Sequence, residues 1–399
     1  MPVAGIITEY NPLHYGHVHL LEETRRRLGA GTPIVCVMSG NFVQRGDFAL
    51  VDKRARAAAA VRSGADLVLE LPLPWALSSA EGFARGGVEA LRALGCVTHL
   101  AFGSEGGDAG PLVRLAEVLC AGDFPEALRR ELSKGDSFPA ARQRAAAGLL
   151  SPEEAAPLGR PNDLLAVEYC KALRGSGIQP LAVLRKGDGH DAPVSGGYSA
   201  SAIRELLRRG EEAAALERMA PAMAEAFRAE ASAGRAPVFG ENCEQAVLAR
   251  LRFMEEPDFA ALDHGREGLY RRLFRASRQA AGLSGLLAEA KTRRYPMARL
   301  RRMVLWAFLG LDGRTPEALP YLRLLAANNR GRAVLAQARS ALPVLSKPAG
   351  VRRLGPEAQS LFQLEARAGR LYALACPNPA AAADEWRAGP VIVNQEEFP

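Results

Sequence analysis

Five short β-rich runs alternate with helical patterns through the first half of this 399-residue chain. Val3 to Thr8, Ile34 to Met38, Asp66 to Leu71, Val97 to Phe102 and Leu181 to Leu184 read as strands. Val18 to Leu28, Lys53 to Ser63, Ala80 to Leu94 and Ala200 to Arg209 read as helices, as do stretches over about 110–148 and 162–175. This alternation predicts βαβ units and a doubly wound parallel sheet, an α/β fold. In such sheets ligands bind at the carboxyl ends of the strands. From about residue 206 the strand signals stop, and Glu244 to Met254, Glu267 to Ala281, Leu283 to Ala290 and Met297 to Leu309 carry helical periodicity. The chain therefore reads as an α/β domain over residues 1–205 followed by an all-helical domain over 206–399. The tail after Pro377, with its short apolar run Val391-Ile392-Val393, has no assigned place.

The formal charge of +7 is unevenly divided. Residues 1–205 hold 22 basic and 23 acidic side chains, a net of −1, and residues 206–399 hold 29 and 21, a net of +8. Either the second half holds a polyanion or it presents a solvated, Arg-rich helical surface. The six cysteines are scattered with no CxxC pair, which argues against a zinc site or a disulfide framework. No stretch approaches 18 consecutive apolar residues and the first residues lack a basic-then-apolar leader, so a cytoplasmic protein without a membrane segment is expected.

Three of the six histidines fall within Asn11-Pro12-Leu13-His14-Tyr15-Gly16-His17-Val18-His19, where the first strand gives way to a helix. A His-x-Gly-His at a helix N-terminus meets free backbone N–H groups and the positive end of the dipole, which favour an anion. Two imidazoles there can donate hydrogen bonds to a reacting phosphate and a departing pyrophosphate. His14 and His17 are the candidate catalytic pair. His19 is read as a supporting or surface residue. Neither a P-loop nor a Gly-x-Gly-x-x-Gly fingerprint is present. After the last strand, Ser199, Ser201 and Arg204 open a helix; the serines either cap it or hold phosphate oxygens that Arg204 neutralises.

A His-x-Gly-His loop followed by a Ser-rich helix start with Arg resembles the HIGH nucleotidyltransferase superfamily. A narrower resemblance rests on Gly5-Ile6-Ile7-Thr8-Glu9-Tyr10-Asn11-Pro12-Leu13-His14-Tyr15-Gly16-His17 and Met38-Ser39-Gly40-Asn41-Phe42-Val43-Gln44-Arg45-Gly46-Asp47. It extends to Val51-Asp52-Lys53-Arg54, Gly64 to Pro72, Phe102-Gly103-Ser104-Glu105, Pro161-Asn162-Asp163, Arg185-Lys186, Lys291 to Tyr295 and Pro320 to Arg323. With these motifs the chain resembles the tRNA(Met) cytidine acetate ligase family over nearly its whole length. The sequence departs at Ser201-Ala202, where Thr-Ser is expected, and at Leu13, where an aromatic is expected.

The resemblance implies that ATP and acetate give acetyl-adenylate and pyrophosphate. The acetyl group then passes to N4 of the wobble cytidine of elongator tRNA(Met), giving N4-acetylcytidine and AMP. It implies an ATP site built from Ile7, Thr8, Glu9, Tyr10, Asn11, Pro12, Leu13, His14, Tyr15, Gly16, His17, Val18, His19 and Leu20, with Gly103, Asn162, Arg185 and Lys186, and with Mg2+ accompanying the nucleotide rather than a metal held by the protein alone. Ser39, Gly40, Asn41, Asp52 and Lys53 form either an acetate pocket or lid, or a surface turn with a helix cap at Asp52. Arg250 to Arg302 contains 13 basic and 6 acidic residues. Arg271, Arg272, Lys291, Arg293, Arg294, Arg301 and Arg302 are the candidate tRNA contacts, suited to the backbone of a folded RNA. Two alternatives are a nucleotidyltransferase acting on a small phosphorylated metabolite and a non-catalytic nucleotide-binding RNA partner.

Overall fold

The computed structural model describes residues 1–135, 137–185, 199–262, 268–311, 313, 315–379 and 384–394. Strands β1 (Ala4–Thr8), β2 (Ile34–Ser39), β5 (Leu67–Leu71), β6 (His99–Ser104) and β7 (Gln179–Leu184) form a parallel array in the order β5-β2-β1-β6-β7. Between β2 and β5 lies a separate hairpin of β3 (Phe42–Val43) and β4 (Asp47–Phe48). Strands β1, β2 and β5 are buried at every position. Their near-continuous apolar sequences are what a parallel strand covered on both faces requires. One apolar cluster packs helices Ala80–Leu94 and Pro161–Leu173 on one face of the sheet, and a second packs helices Tyr15–Leu28 and Lys53–Arg62 on the other. Strand order reverses between β1 and β6, and this switch point opens a crevice at their carboxyl ends.

The expectation of an all-helical second half is corrected. β8 (Leu322–Ala327) pairs antiparallel with β5, and β9 (Val344–Leu345) and β10 (Val391–Ile392) pair parallel with β8, extending the sheet to eight strands. The sequence Leu-Arg-Leu-Leu-Ala-Ala has helix-forming composition. It is fully buried beside β5, where ladder hydrogen bonds and packing override propensity. The tail run Val391-Ile392-Val393 thereby gains a place at the sheet edge. Among the described residues between Glu212 and Leu309 the helical reading holds, with helices Glu244–Phe253, Leu269–Gln279, Leu283–Ala290 and Met297–Leu309 around a third apolar cluster.

The two halves are locked by charges taken out of water. Lys53 Nζ lies 2.6 Å from Glu70 and 3.1 Å from Glu385, Arg54 lies 2.7 Å from Glu385, and Arg323 reaches Glu385 at 2.6 Å and Glu70 and Glu365 at 3.3 Å. Removing one member of such a cluster strands its partner in low dielectric. Burial, with Glu70 nearby, pushes the Glu365 carboxyl up to about 7.

Candidate functional site

The crevice at the switch point is floored by the loop from β1 into helix Tyr15–Leu28. His14 is the N-cap of that helix. Its Nδ1 accepts the Gly16 N–H at 3.1 Å, and His17 Nδ1 accepts the His14 N–H at 3.2 Å. Each imidazole thus uses Nδ1 as an acceptor for an orphan helix N–H. In the neutral ring the proton must then sit on Nε2. The rings lie side by side with centroids 3.8 Å apart. Burial, then the proximity of His14 and Arg185, holds the His17 pKa well below its ordinary 6.5. Both rings thus use Nδ1 as an acceptor at a helix N-terminus, and His17 is held neutral with its proton on Nε2, suited to an anionic phosphate.

The rest of the Ile7–Leu20 stretch divides into scaffold and rim. Ile7, Thr8, Tyr10, Asn11, Pro12 and Leu13 are buried, so they shape the loop. Asn11 Oδ1 accepts the Leu50 N–H at 2.7 Å, and Glu9 accepts the Gln44 N–H at 2.6 Å. Tyr15 is exposed, and Gly16, His17, Val18, His19 and Leu20 are half-buried.

Across the switch point, Gly103 is the penultimate residue of β6, with Arg185 lying over it. A Cβ at Gly103 would come within 3.2 Å of Arg185 Cγ, so any larger residue would have to push the arginine side chain aside. Asn162 starts helix Pro161–Leu173, and its side-chain NH2 donates to Glu105 at 2.7 Å. Gly103, Asn162 and Arg185 are thus brought together. Lys186 lies outside the described residues.

Other predicted residues have different employment. Arg204 is buried and donates to Asp47 at 2.7 Å and to Asn11 Oδ1 and the Phe48 carbonyl at 3.2 Å. The phosphate reading of Arg204 is corrected: its guanidinium clamps the ATP-loop asparagine to the β3–β4 hairpin. Ser199 Oγ accepts the Ala202 N–H at 3.2 Å as the cap of helix Ala200–Arg208, and Ser201 is exposed.

The acetate reading of Lys53 is corrected too, because its ammonium is spent on Glu70 and Glu385. Asn41 and Asp52 cap helix Lys53–Arg62: Asn41 Oδ1 accepts the Lys53 N–H and Asp52 the Arg54 N–H, both at 2.8 Å. The cavity lined by Gly40, Asn41, Lys53, Glu70, Glu365 and Glu385 measures about 20 Å3, the size of one water. Three glutamates around it disfavour an acetate anion. Ser39, buried at the end of β2, keeps its hydroxyl without a hydrogen bond.

Sequence reasoning missed Arg56 and Glu105. Fully buried Arg56 donates to the carbonyls of Glu9, Ser39, Gly40 and Val51, pinning the ends of β1 and β2. The only local signal was an arginine in an alanine-rich stretch, on the same helical face as Lys53.

Of the basic candidates, Arg271, Arg272, Lys291, Arg293, Arg294 and Arg301 are exposed. Arg271 pairs with Glu256 at 3.3 Å, and Arg272 donates to the Glu289 and Ala290 carbonyls, closing helix Leu283–Ala290. Arg302 is corrected: it is buried, its NH1 donates to the Gln44 carbonyl at 3.1 Å, and burial, then Arg299, pulls its pKa down to about 10. Gly46, at φ 76°, packs against this helix; a Cβ would lie 2.5 Å from the Arg302 nitrogen. The basic helices thus abut the loop that Glu9 holds. Tyr295 is buried rather than displayed for stacking.

A parallel sheet with a paired-histidine helix start at its switch point defines a nucleotide-activating enzyme of the HIGH class. The family profile described as HIGH Nucleotidyl Transferase matches residues 1–385. Within that class the chain belongs to the tRNA(Met) cytidine acetate ligase family. It is 34% identical to the tRNA(Met) cytidine acetate ligase of Syntrophomonas wolfei, over 95% of this chain and 96% of that one. It is 37% identical to that of Syntrophotalea carbinolica, over 94% and 95%. Among solved structures, Thermotoga maritima TmcAL bound with alpha-thio ATP superposes with a TM-score of 0.92 at 31% identity, covering 99% of this chain and 100% of that chain.

Proposed function

We propose that this chain is an ATP-dependent ligase that forms N4-acetylcytidine at the wobble position of elongator tRNA(Met). Acetate attacks the α-phosphate of ATP, giving acetyl-adenylate and pyrophosphate. The N4 amine of the cytidine then attacks the acyl carbon, and AMP leaves. The observation that carries this reading is the His14–His17 pair, two imidazoles side by side at one helix N-terminus with Nδ1 engaged in capping, in a chain of this family. Imidazole N–H donors stabilise charge that grows on the phosphate oxygens as pyrophosphate departs. Arg185, folded over Gly103, adds a fixed positive charge nearby, and Asn162 contacts the nucleoside.

Magnesium would enter with the triphosphate and neutralise its charge. Acyl transfer from the adenylate relies chiefly on positioning.

The division of labour assigns adenylation to residues 1–205 and tRNA binding to the basic helices of 206–399, with the sheet edge β8–β10 joining the two. Exposed Arg271, Lys291, Arg293, Arg294 and Arg301 suit phosphate contacts, and the contact of Gly46, in the β3–β4 hairpin, with Arg302 supports a tRNA path from those helices towards the adenylation half. Among the described residues no helix is long and apolar enough to cross a membrane, and a tRNA substrate points to the cytoplasm. The test is purified protein with ATP, labelled acetate and an elongator tRNA(Met) transcript. Acetylated cytidine is the expected product; pyrophosphate release indifferent to acetate and tRNA would overturn the reading.

A further inference from the structure

Glu105 lies one residue beyond β6 and acts on a helix that begins 56 positions later. Helix Pro161–Leu173 has no side-chain cap of its own. Glu105 supplies one from outside: Oε1 accepts the Asn162 N–H at 3.2 Å, and Oε2 accepts the Asp163 N–H at 2.8 Å. Asp163 answers by accepting the Ser104 hydroxyl at 2.6 Å and the Glu105 N–H at 2.9 Å. The end of β6 and the start of the helix are therefore mutually capped. Burial works against the Glu105 charge, but the bonds from Asn162 and Asp163 outweigh it and hold the pKa below the ordinary glutamate value.

The same carboxylate grips the Asn162 side chain, whose NH2 donates to Oε1 at 2.7 Å. An asparagine amide can present a donor or an acceptor by turning over. A carboxylate only accepts, so Glu105 fixes the amide with NH2 inward and leaves Oδ1 as the edge available to a ligand. Two residues before Glu105 stands Gly103, crossed by Arg185, whose charge is felt by His17. Glu105 and His17 both lie close enough to Arg185 to feel its charge, so Asn162 stands on the same side of the switch point as the histidine pair.

We propose that Glu105 is a specificity-determining positioning residue: by locking Asn162 as a hydrogen-bond acceptor, it makes the crevice select a purine with a 6-amino donor over one with a 6-oxo acceptor. This rests on the reading that the crevice binds ATP. A 6-oxo group facing Oδ1 sets acceptor against acceptor and leaves both unpaired, the mismatch that a polar site rejects most strongly. Removing the 6-amino group forfeits only one hydrogen bond, about tenfold.

The experiment compares ATP, inosine triphosphate, purine riboside triphosphate and 2′-deoxyATP, by acetate-dependent pyrophosphate release and by calorimetric binding. Wild-type protein should favour ATP over purine riboside triphosphate by about tenfold and over inosine triphosphate by about a hundredfold or more, chiefly through KM. In Glu105→Gln the new amide can donate to Asn162 and let it turn over, so the preference for ATP over inosine triphosphate should collapse to severalfold. Asn162→Ala, which keeps the backbone cap, should show the same loss and serves if Glu105→Gln does not fold. Wild-type indifference to the 6-substituent, or a folded Glu105→Gln with wild-type discrimination, overturns the proposal. So does a penalty confined to 2′-deoxyATP, which would make Asn162 a ribose contact. If wild type binds these nucleotides selectively yet releases no pyrophosphate with acetate, the function reading fails while the Glu105 inference stands.

Discussion

His17 Nδ1 accepts the backbone N–H of His14 at 3.2 Å, and the two imidazoles lie with centroids 3.8 Å apart. The bond completes a reciprocal cap in which each histidine satisfies an N–H of the other's turn. It also decides the chemistry, because the ring nitrogen used for capping cannot carry the proton. A single geometry therefore starts the helix and leaves the proton of each neutral ring to Nε2.

Replacing His17 with alanine removes one donor to the reacting phosphate. Acetate-dependent pyrophosphate release should fall by about 10²–10³-fold, as for loss of one preorganised transition-state donor. Lost capping should cost only about 1 kcal/mol of stability, and tRNA binding should persist. Undiminished pyrophosphate release in the folded variant would remove His17 from the phosphate site.

The depressed pKa of His17 has a defined sign. The unfolded chain binds a proton near 6.5, while the folded protein resists it by burial and the nearby His14 and Arg185. The stability contributed by the neutral ring is complete above 6.5 and is lost as pH falls below that value towards the folded pKa. In the nucleotide-free protein, proton NMR should show the His17 ring still neutral at pH 6. A ring half-protonated at its ordinary value would contradict the buried geometry.

Arg204 and Asp47 form a pair in which the arginine is almost fully enclosed. Arg204→Ala leaves Asp47 without its ion-pair partner and should cost about 3 kcal/mol, seen as a lower denaturant midpoint. Asp47→Asn should cost less, since an amide oxygen can still accept. A double-mutant cycle should give a coupling above about 1 kcal/mol. Additive effects would mean that the pair is not a clamp.

Arg293 and Arg294 are exposed at the start of the segment leading into helix Met297–Leu309. Changing both to alanine should weaken tRNA binding and reduce the slope of log affinity against log salt by about 1–2, one unit for each lost phosphate contact. ATP-dependent acetyl-adenylate formation should be unaffected. A salt slope equal to wild type would place the RNA elsewhere on the basic surface.

Much of the α/β half was legible because its signals are local. The strands alternate with helices at short range, and the His-x-Gly-His loop declares a helix N-terminus within four residues. Arg204 shows where that legibility ends. Placed one turn into a serine-rich helix start, it carries the pattern of a phosphate ligand, and only packing reveals that Asp47, from 157 residues earlier, already holds it. Lys53 is a similar case. An ammonium beside a polar loop suggested an anion pocket, but it is neutralised by Glu70 and by Glu385 from the far end of the chain.

By itself the sequence determined the periodicities of β1, β2, β5, β6 and β7, the histidine-capped helix and the family motifs, all properties of neighbouring residues. Tertiary structure decided which charges remain available for chemistry. A buried charge must find a partner wherever the fold supplies one, and those partners lie far apart in sequence: Arg54 with Glu385, Arg323 with Glu70 and Glu365, Glu105 with Asn162. It also decided that Leu322–Ala327 is a strand. A six-residue apolar segment has no period to declare its conformation, and the unpaired edge of β5 supplied the hydrogen bonds that made it one.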